Sequence, residues 1–79
     1  MKALIIDDER LARNELRRLL GEFADVEIAG EAANAKQARP LIAEQKPDVI
    51  FLDVQMPGES GLELLGSLEP PVPDVIFTT

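Results

Sequence analysis

The chain contains no cysteine, histidine, tryptophan or tyrosine among its 79 residues. Without cysteine it can form neither a disulfide framework nor a thiolate metal site. Without histidine it lacks the usual zinc ligand and the usual general base near neutral pH. These absences argue against disulfide-stabilised secreted modules and against the common zinc enzymes.

Long hydrophobic runs are also absent. The first ten residues, MKALIIDDER, contain an apolar run of four residues before two aspartates, which is too short for a signal peptide or a membrane span. The net charge of −7 opposes direct binding to nucleic acid or to anionic membranes, because both reward positive charge. We therefore expect a cytoplasmic location, with no membrane partner and no nucleic-acid contact by this segment.

Short apolar segments alternate with segments of helical periodicity. The segments at 3–6, 26–29, 49–52 and 75–77 are rich in β-branched residues, and three of them are continuously apolar, as in parallel strands buried on both faces. A hydrophobic fraction of 46% is enough for one packed core. The order βαβαβαβ predicts an α/β fold: a doubly wound parallel sheet between two helical layers, forming a single domain over 1–79.

Each predicted helix has its own signature. The first has an apolar stripe opposite an arginine stripe that we interpret as a solvated face. The second follows Asn34, a good N-cap, and Pro40 predicts that it is kinked or starts late. The third opens at Ser60 with a capping box and is expected to run to Leu68. The apolar stripe of the first helix consists of Leu11, Ala12, Leu16, Leu19, Leu20 and Phe23. Its arginine stripe consists of Arg10, Arg13, Arg17 and Arg18.

Acidic side chains follow two of the predicted strands. Asp7 and Asp8 follow the first, Asp53 follows the third, and the second is expected to end at Gly30-Glu31. If the first and third strands are neighbours, the three aspartates crowd one sheet edge and repel one another unless a cation intervenes. Magnesium fits, because it prefers oxygen ligands. Two alternatives remain: Asp8 as a helix N-cap and Asp53 as a turn residue.

Three motifs carry a family resemblance. LIIDDE (4–9), FLDVQMPGESGLEL (51–64) and VIFTT (75–79) resemble the receiver domain of two-component response regulators, which is related to the chemotaxis regulator. IDDERLAR, LDVQMPG and IFTT are similar to receivers that precede a LytTR-type DNA-binding domain. The resemblance implies a flavodoxin-like sheet with strand order 2-1-3-4-5.

The resemblance also implies a role for particular residues. Asp53 would be the phosphoacceptor, which takes a phosphoryl group from a sensor histidine kinase. Asp7, Asp8, Asp53 and the backbone carbonyl of Gln55 would hold Mg²⁺, and Thr79 would be the switch hydroxyl. PDVIF occurs at 47–51 and at 73–77, so we expect Asp53 and Thr79 to lie in register on adjacent strands. Beyond phosphoryl uptake and self-dephosphorylation, no enzymatic activity is expected.

One departure from the family lies beyond the fourth strand. A complete receiver continues with a fourth helix, a fifth strand and a fifth helix, and its fifth strand ends in a lysine that pairs with the phosphoryl group. The lysines present are Lys2, Lys36 and Lys46, and none matches that position. We therefore expect an N-terminal portion of a receiver, truncated before the fourth helix, whose parent protein carries the LytTR-type domain.

An exposed fourth strand is the consequence of that departure. Unpaired backbone groups on an apolar edge are a template for another chain, so we expect self-association through strand 4. The alternative function is a structural fragment that self-associates and neither switches nor accepts phosphate.

Overall fold

Strands and helices alternate along residues 1–78, which are the residues that the computed structural model describes. The elements are β1 (Lys2–Ile6), α1 (Arg10–Leu20), β2 (Glu27–Ala32), α2 (Ala35–Gln45), β3 (Val49–Leu52), α3 (Gly61–Gly66) and β4 (Asp74–Phe77). This order is the one that the sequence predicts.

The four strands form one sheet with the order β2-β1-β3-β4. Every neighbouring pair is parallel. The doubly wound, flavodoxin-like α/β fold is therefore confirmed. Because β1 and β3 are neighbours, the residues directly after them meet at the same edge of the sheet.

The core lies on both faces of the sheet. On one face, Leu4, Ile6, Ile50 and Leu52 pack with buried side chains of α2 and α3. On the other face, residues of β1 and β3 pack with α1 through a smaller cluster made of Ala3, Val49, Phe51, Leu16, Leu20 and Val26. A strand covered on both faces has no position for a polar side chain, which explains the uninterrupted apolar runs.

The second strand is longer than the sequence predicts. It continues to Ala32, which pairs with Ile6, and a register shift lies between Ala3 and Leu4 of β1. The predicted end at Gly30-Glu31 is therefore wrong, and Glu31 lies inside the strand. The extension carries β2 along the whole length of β1, where pairing satisfies its backbone groups.

Only part of the apolar stripe on α1 reaches the core. Leu16 and Leu20 pack against it, whereas Leu11 is 73% exposed, and Phe23 lies exposed beyond the end of the helix. The stripe covers a wider arc than the sheet surface beneath it can contact.

Helix α2 begins directly after its cap. The Asn34 side chain accepts a hydrogen bond from the Gln37 amide at 2.8 Å, and the helix starts at Ala35. The predicted late start is therefore wrong. Pro40 lies inside the helix on its exposed side, where solvent can hydrate the Lys36 carbonyl that a proline nitrogen cannot bond.

Helix α3 opens with the predicted capping box. Ser60 Oγ accepts a hydrogen bond from the Glu63 amide, and Glu63 Oε1 accepts one from the Ser60 amide, both at 3.1 Å. The helix ends at Gly66, two residues before the predicted end.

All three helices are short. Helices α1 and α2 contain 11 residues each and α3 contains six, whereas a helix needs about 20 residues to span a bilayer. Within residues 1–78, no helix is long and apolar enough to cross a membrane.

Candidate functional site

Three carboxylates meet where β1 and β3 end. Asp7 and Asp8 follow β1, and Asp53 follows β3. One carboxylate oxygen from each residue lies within 4.8 Å of the others. The pairing of Ile6 with Leu52 brings the two strand ends level, so the predicted acidic cluster forms.

Asp53 is the most buried residue of the cluster. Its amide donates to the Ile6 carbonyl at 2.9 Å, which continues the sheet beyond β3. Its Oδ1 accepts a hydrogen bond from the Gln55 amide at 3.1 Å. The turn contact that the sequence suggests is therefore present, and it orients the carboxylate within the cluster.

Asp7 is held by three hydrogen bonds. Its amide donates to the Ala32 carbonyl at 3.0 Å, its Oδ1 accepts from the Glu9 amide at 2.9 Å, and its carbonyl accepts from the Arg13 guanidinium at 2.7 Å. The residue therefore connects the end of β1 both to β2 and to α1.

The electrostatic environment of Asp7 disfavours its charge. Burial raises the pKa of Asp7, the hydrogen bond from the Glu9 amide partly offsets this, and the charges of Asp53, Asp8 and Glu9 raise it further. The pKa of Asp7 is therefore higher in the folded state than in the unfolded state. As the pH rises from the unfolded-state pKa through the folded-state pKa, the ionisation of Asp7 lowers the folding stability. A divalent cation in the cluster would remove this cost.

Asp8 is not the cap of α1. The N-cap position belongs to Glu9, and no side chain forms a capping hydrogen bond there. The N-cap alternative for Asp8 is therefore wrong. Its exposed carboxylate lies in the acidic cluster.

In the loop between β3 and α3, the residues directly before and after Gln55 are held by contacts with the rest of the fold. The Gly61 amide donates to the Val54 carbonyl at 2.9 Å, and Met56 is buried in the core. Gly58 has a φ of +81°, a conformation that favours glycine. These contacts limit how far the Gln55 backbone can move relative to Asp53.

The donors of this cluster suit a small hard cation. All three are carboxylate oxygens, the ligand type that Mg²⁺ prefers, and one from each residue lies within 4.8 Å of the others. The residues present therefore fit Mg²⁺.

The register of β4 differs from the register that the repeated PDVIF motif predicts. Val49 pairs with Asp74 and Leu52 with Phe77, which places Thr78 level with Asp53. The Thr78 amide donates to the Leu52 carbonyl at 3.1 Å. The motif aligns Val49 with Val75 instead, so the observed strand register is shifted by one residue from the register of the motif. Thr79 itself lies outside the described residues.

Arg13 is the site-flanking residue that sequence reasoning missed. It belongs to the arginine stripe that the sequence predicts to be solvated, yet its side chain is only 15% exposed. Its spacing along the helix does not separate it from the other arginines on α1. Arg17 also pairs with Glu31, so the hydrogen bond from Arg13 to the Asp7 carbonyl is what distinguishes Arg13.

The fold and site define a parallel α/β domain with an acidic cluster at the carboxyl edge of its sheet. Residues 3–79 match the family model described as "Response regulator receiver domain". The chain therefore belongs to the response regulator receiver family.

Its relatives are bacterial regulators. Over 80 aligned residues, the chain is 51% identical to an uncharacterized response regulatory protein of Vibrio cholerae. It is 49% identical to the transcriptional regulatory protein BtsR of Escherichia coli K12. In both cases the match covers the whole of this chain and only 34% of the relative. The chain thus spans about a third of the length of these curated relatives.

Solved structures agree with this assignment. The response regulator domain of Thermotoga maritima CheB superposes with a TM-score of 0.88 at 31% identity, over 98% of this chain and 58% of that one. The response regulatory domain of mrkE from Klebsiella pneumoniae gives 0.83 at 30% identity, over 98% and 65%.

Proposed function

We propose that the chain is a phosphoacceptor module that takes a phosphoryl group from a sensor histidine kinase onto Asp53, with Mg²⁺ bound at the acidic cluster. The observation that carries this is the convergence of Asp7, Asp8 and Asp53 within 4.8 Å in a receiver-family chain. The alternative, a structural fragment that does not switch, gains no support from the family match.

The transfer is a nucleophilic displacement at phosphorus. A carboxylate oxygen of Asp53 forms the new P–O bond while the P–N bond to the kinase histidine breaks, and the imidazole leaves with that electron pair. Bound Mg²⁺ would neutralise charge on the transferring oxygens. Asp7, Asp8 and the Gln55 carbonyl are its proposed partners besides Asp53, and Thr79 is the proposed switch hydroxyl. We propose no other enzymatic activity than self-dephosphorylation.

Magnesium binding provides the first test. We expect isothermal titration calorimetry to show weak Mg²⁺ binding by the protein and none by the double variant Asp8→Ala plus Asp53→Ala, because two of three carboxylate ligands are lost. The matched control is Glu22→Ala plus Glu44→Ala, which removes the same charge at two exposed positions. Equal binding by the protein and the site variant would contradict the proposed metal site.

We also propose the regulatory setting of the whole protein. BtsR, to which the chain is about half identical, is named a transcriptional regulatory protein. This supports a parent protein with a DNA-binding part. On the resemblance of IDDERLAR, LDVQMPG and IFTT we propose that this part is of the LytTR type and that the protein acts in the cytoplasm. The acidic charge of this segment, −7, opposes DNA contact by the segment itself and supports DNA contact by another part.

We further propose that the chain self-associates through β4. Within residues 1–78, β4 pairs on one side only, with β3. Its Ile76 and Phe77 side chains are 48% and 45% exposed. An apolar strand edge with unpaired backbone groups favours addition of a strand from a second copy.

Sedimentation velocity over a wide concentration range tests the association. We expect the sedimentation coefficient of the protein to rise with concentration, and that of Ile76→Lys to stay at the monomer value, because a lysine on the edge opposes strand pairing. Leu62→Lys is the control, since it adds the same charge at an exposed position of α3. A folded protein that remains monomeric throughout would contradict the proposal.

A further inference from the structure

Arg13 connects three elements beside the acidic cluster. It lies on α1, its Nη1 donates to the carbonyl oxygen of Asp7 at 2.7 Å, and its Nε donates to Oε1 of Glu31 at 3.1 Å. Glu31 belongs to β2. The side chain of Arg13 therefore joins α1 to the end of β1 and to the neighbouring strand.

Glu31 restricts the orientation of Arg13. Its second oxygen, Oε2, accepts a hydrogen bond from Arg17 Nε at 2.6 Å, so the carboxylate is bound by two arginines through different atoms. The guanidinium of Arg13 is planar, and its donors have fixed directions. It cannot leave the Asp7 carbonyl without disturbing the bond to Glu31.

The two peptide groups that flank the Asp7 Cα are each held by a hydrogen bond. The Asp7 amide donates to the Ala32 carbonyl at 3.0 Å, and the Asp7 carbonyl accepts from Arg13. These two contacts determine where the Asp7 side chain leaves the backbone, and hence where its carboxylate lies relative to Asp53.

We propose that Arg13, oriented by Glu31, is a positioning residue that holds Asp7 for cation binding. The inference rests on the proposed function of the acidic cluster as a Mg²⁺ site. Arg13 is assigned no contact with the ion, and it acts through the backbone of a ligand residue.

The proposal can be separated from a simple effect of charge. A cation beside the cluster repels Mg²⁺, so loss of the Arg13 charge alone would tighten Mg²⁺ binding. Loss of the hydrogen bond to Asp7 would weaken binding instead, because partners that orient metal ligands contribute about tenfold or more to affinity. The two effects have opposite signs, and we expect the positioning effect to dominate.

The experiment compares Mg²⁺ dissociation constants, measured by calorimetry, for the protein and for Arg13→Gln, Arg13→Lys and Glu31→Gln. We expect about tenfold weaker binding in both Arg13 variants, because lysine keeps the charge but lacks the fork that reaches both partners. Glu31→Gln should weaken binding to a smaller extent. The control is Arg18→Gln, whose arginine is 67% exposed and pairs with Glu15 on the same helix; it should bind as the unmodified protein does.

Backbone amide NMR spectra, recorded without Mg²⁺ at the titration temperature, provide a second readout. They should show folded variants in which the Asp7 and Glu9 resonances shift, whereas a general loss of stability would not single out these residues. If the Arg13 variants unfold, the Asp7 and Glu9 resonances of Glu31→Gln carry the test, because loss of the Glu31 charge alone also weakens Mg²⁺ binding.

Three results would overturn the inference: unchanged affinity in all Arg13 and Glu31 variants, tighter binding by Arg13→Gln with Arg13→Lys unchanged, or unshifted Asp7 and Glu9 resonances. Absence of Mg²⁺ binding by the unmodified protein would instead overturn the proposed metal site, and the inference would fail with it. The titration of the unmodified protein therefore distinguishes the two failures.

Discussion

Replacing Asp53 with asparagine should abolish phosphoryl uptake from acetyl phosphate in the presence of Mg²⁺. The carboxylate is the proposed nucleophile, and a neutral amide neither attacks phosphorus effectively nor contributes a charged ligand to the cluster. Intact-mass spectrometry measures the fraction of protein that carries one added phosphoryl group. We expect a measurable phosphorylated fraction in the unmodified protein and none in the variant.

Two controls accompany this experiment. Asp25→Asn changes an exposed carboxylate in the segment between α1 and β2 and should leave uptake unchanged. Removal of Mg²⁺ with a chelator should reduce uptake in the unmodified protein. Modification that persists undiminished in Asp53→Asn would show that the phosphoacceptor is another residue.

Replacing Gly61 with alanine should strongly destabilise the fold. A Cβ atom at this position would lie 2.3 Å from the carbonyl oxygen of Asp53 and 3.1 Å from Cγ of Leu52. The first distance is far below van der Waals contact with a backbone atom, so either α3 or the end of β3 must move. Overpacking of this kind costs about 1–3 kcal/mol, and a backbone clash belongs at the upper end. That is a large part of the stability of a small domain.

The matched control is Gly66→Ala, at the other end of the same helix. Nothing lies within 4 Å of a Cβ atom there, and alanine favours a helix over glycine by about 1 kcal/mol. Urea denaturation followed by circular dichroism compares the two variants, since the chain has no tryptophan to report by fluorescence. Gly61→Ala should lower the denaturation midpoint and Gly66→Ala should leave it equal or higher. A midpoint for Gly61→Ala equal to that of the unmodified protein would contradict the close approach.

Local patterns in the sequence determined the helices and strands, and also the acidic character of the sheet edge where β1 and β3 end. Asn34 and Ser60 cap α2 and α3 as predicted, because a capping hydrogen bond involves residues only three positions apart. The apolar run at 49–52 predicted a strand covered on both faces, since a fully buried strand tolerates no polar residue. The acids after β1 and β3 meet because parallel strands deliver their ends to one edge.

Tertiary structure alone decided the features that depend on distances between elements. Strand β2 extends to Ala32 with a register shift at Ala29, between the pairs Ala3–Ile28 and Leu4–Gly30, and the pairing of Leu52 with Phe77 placed Thr78 level with Asp53. The spacing of Arg13 on α1 is like that of its neighbours, and only the fold brings it against both Glu31 and the Asp7 carbonyl. Strand register and side-chain contacts between elements arise from packing, and residues close in sequence do not encode them. The sequence could therefore predict which acids meet, but not which arginine holds one of them.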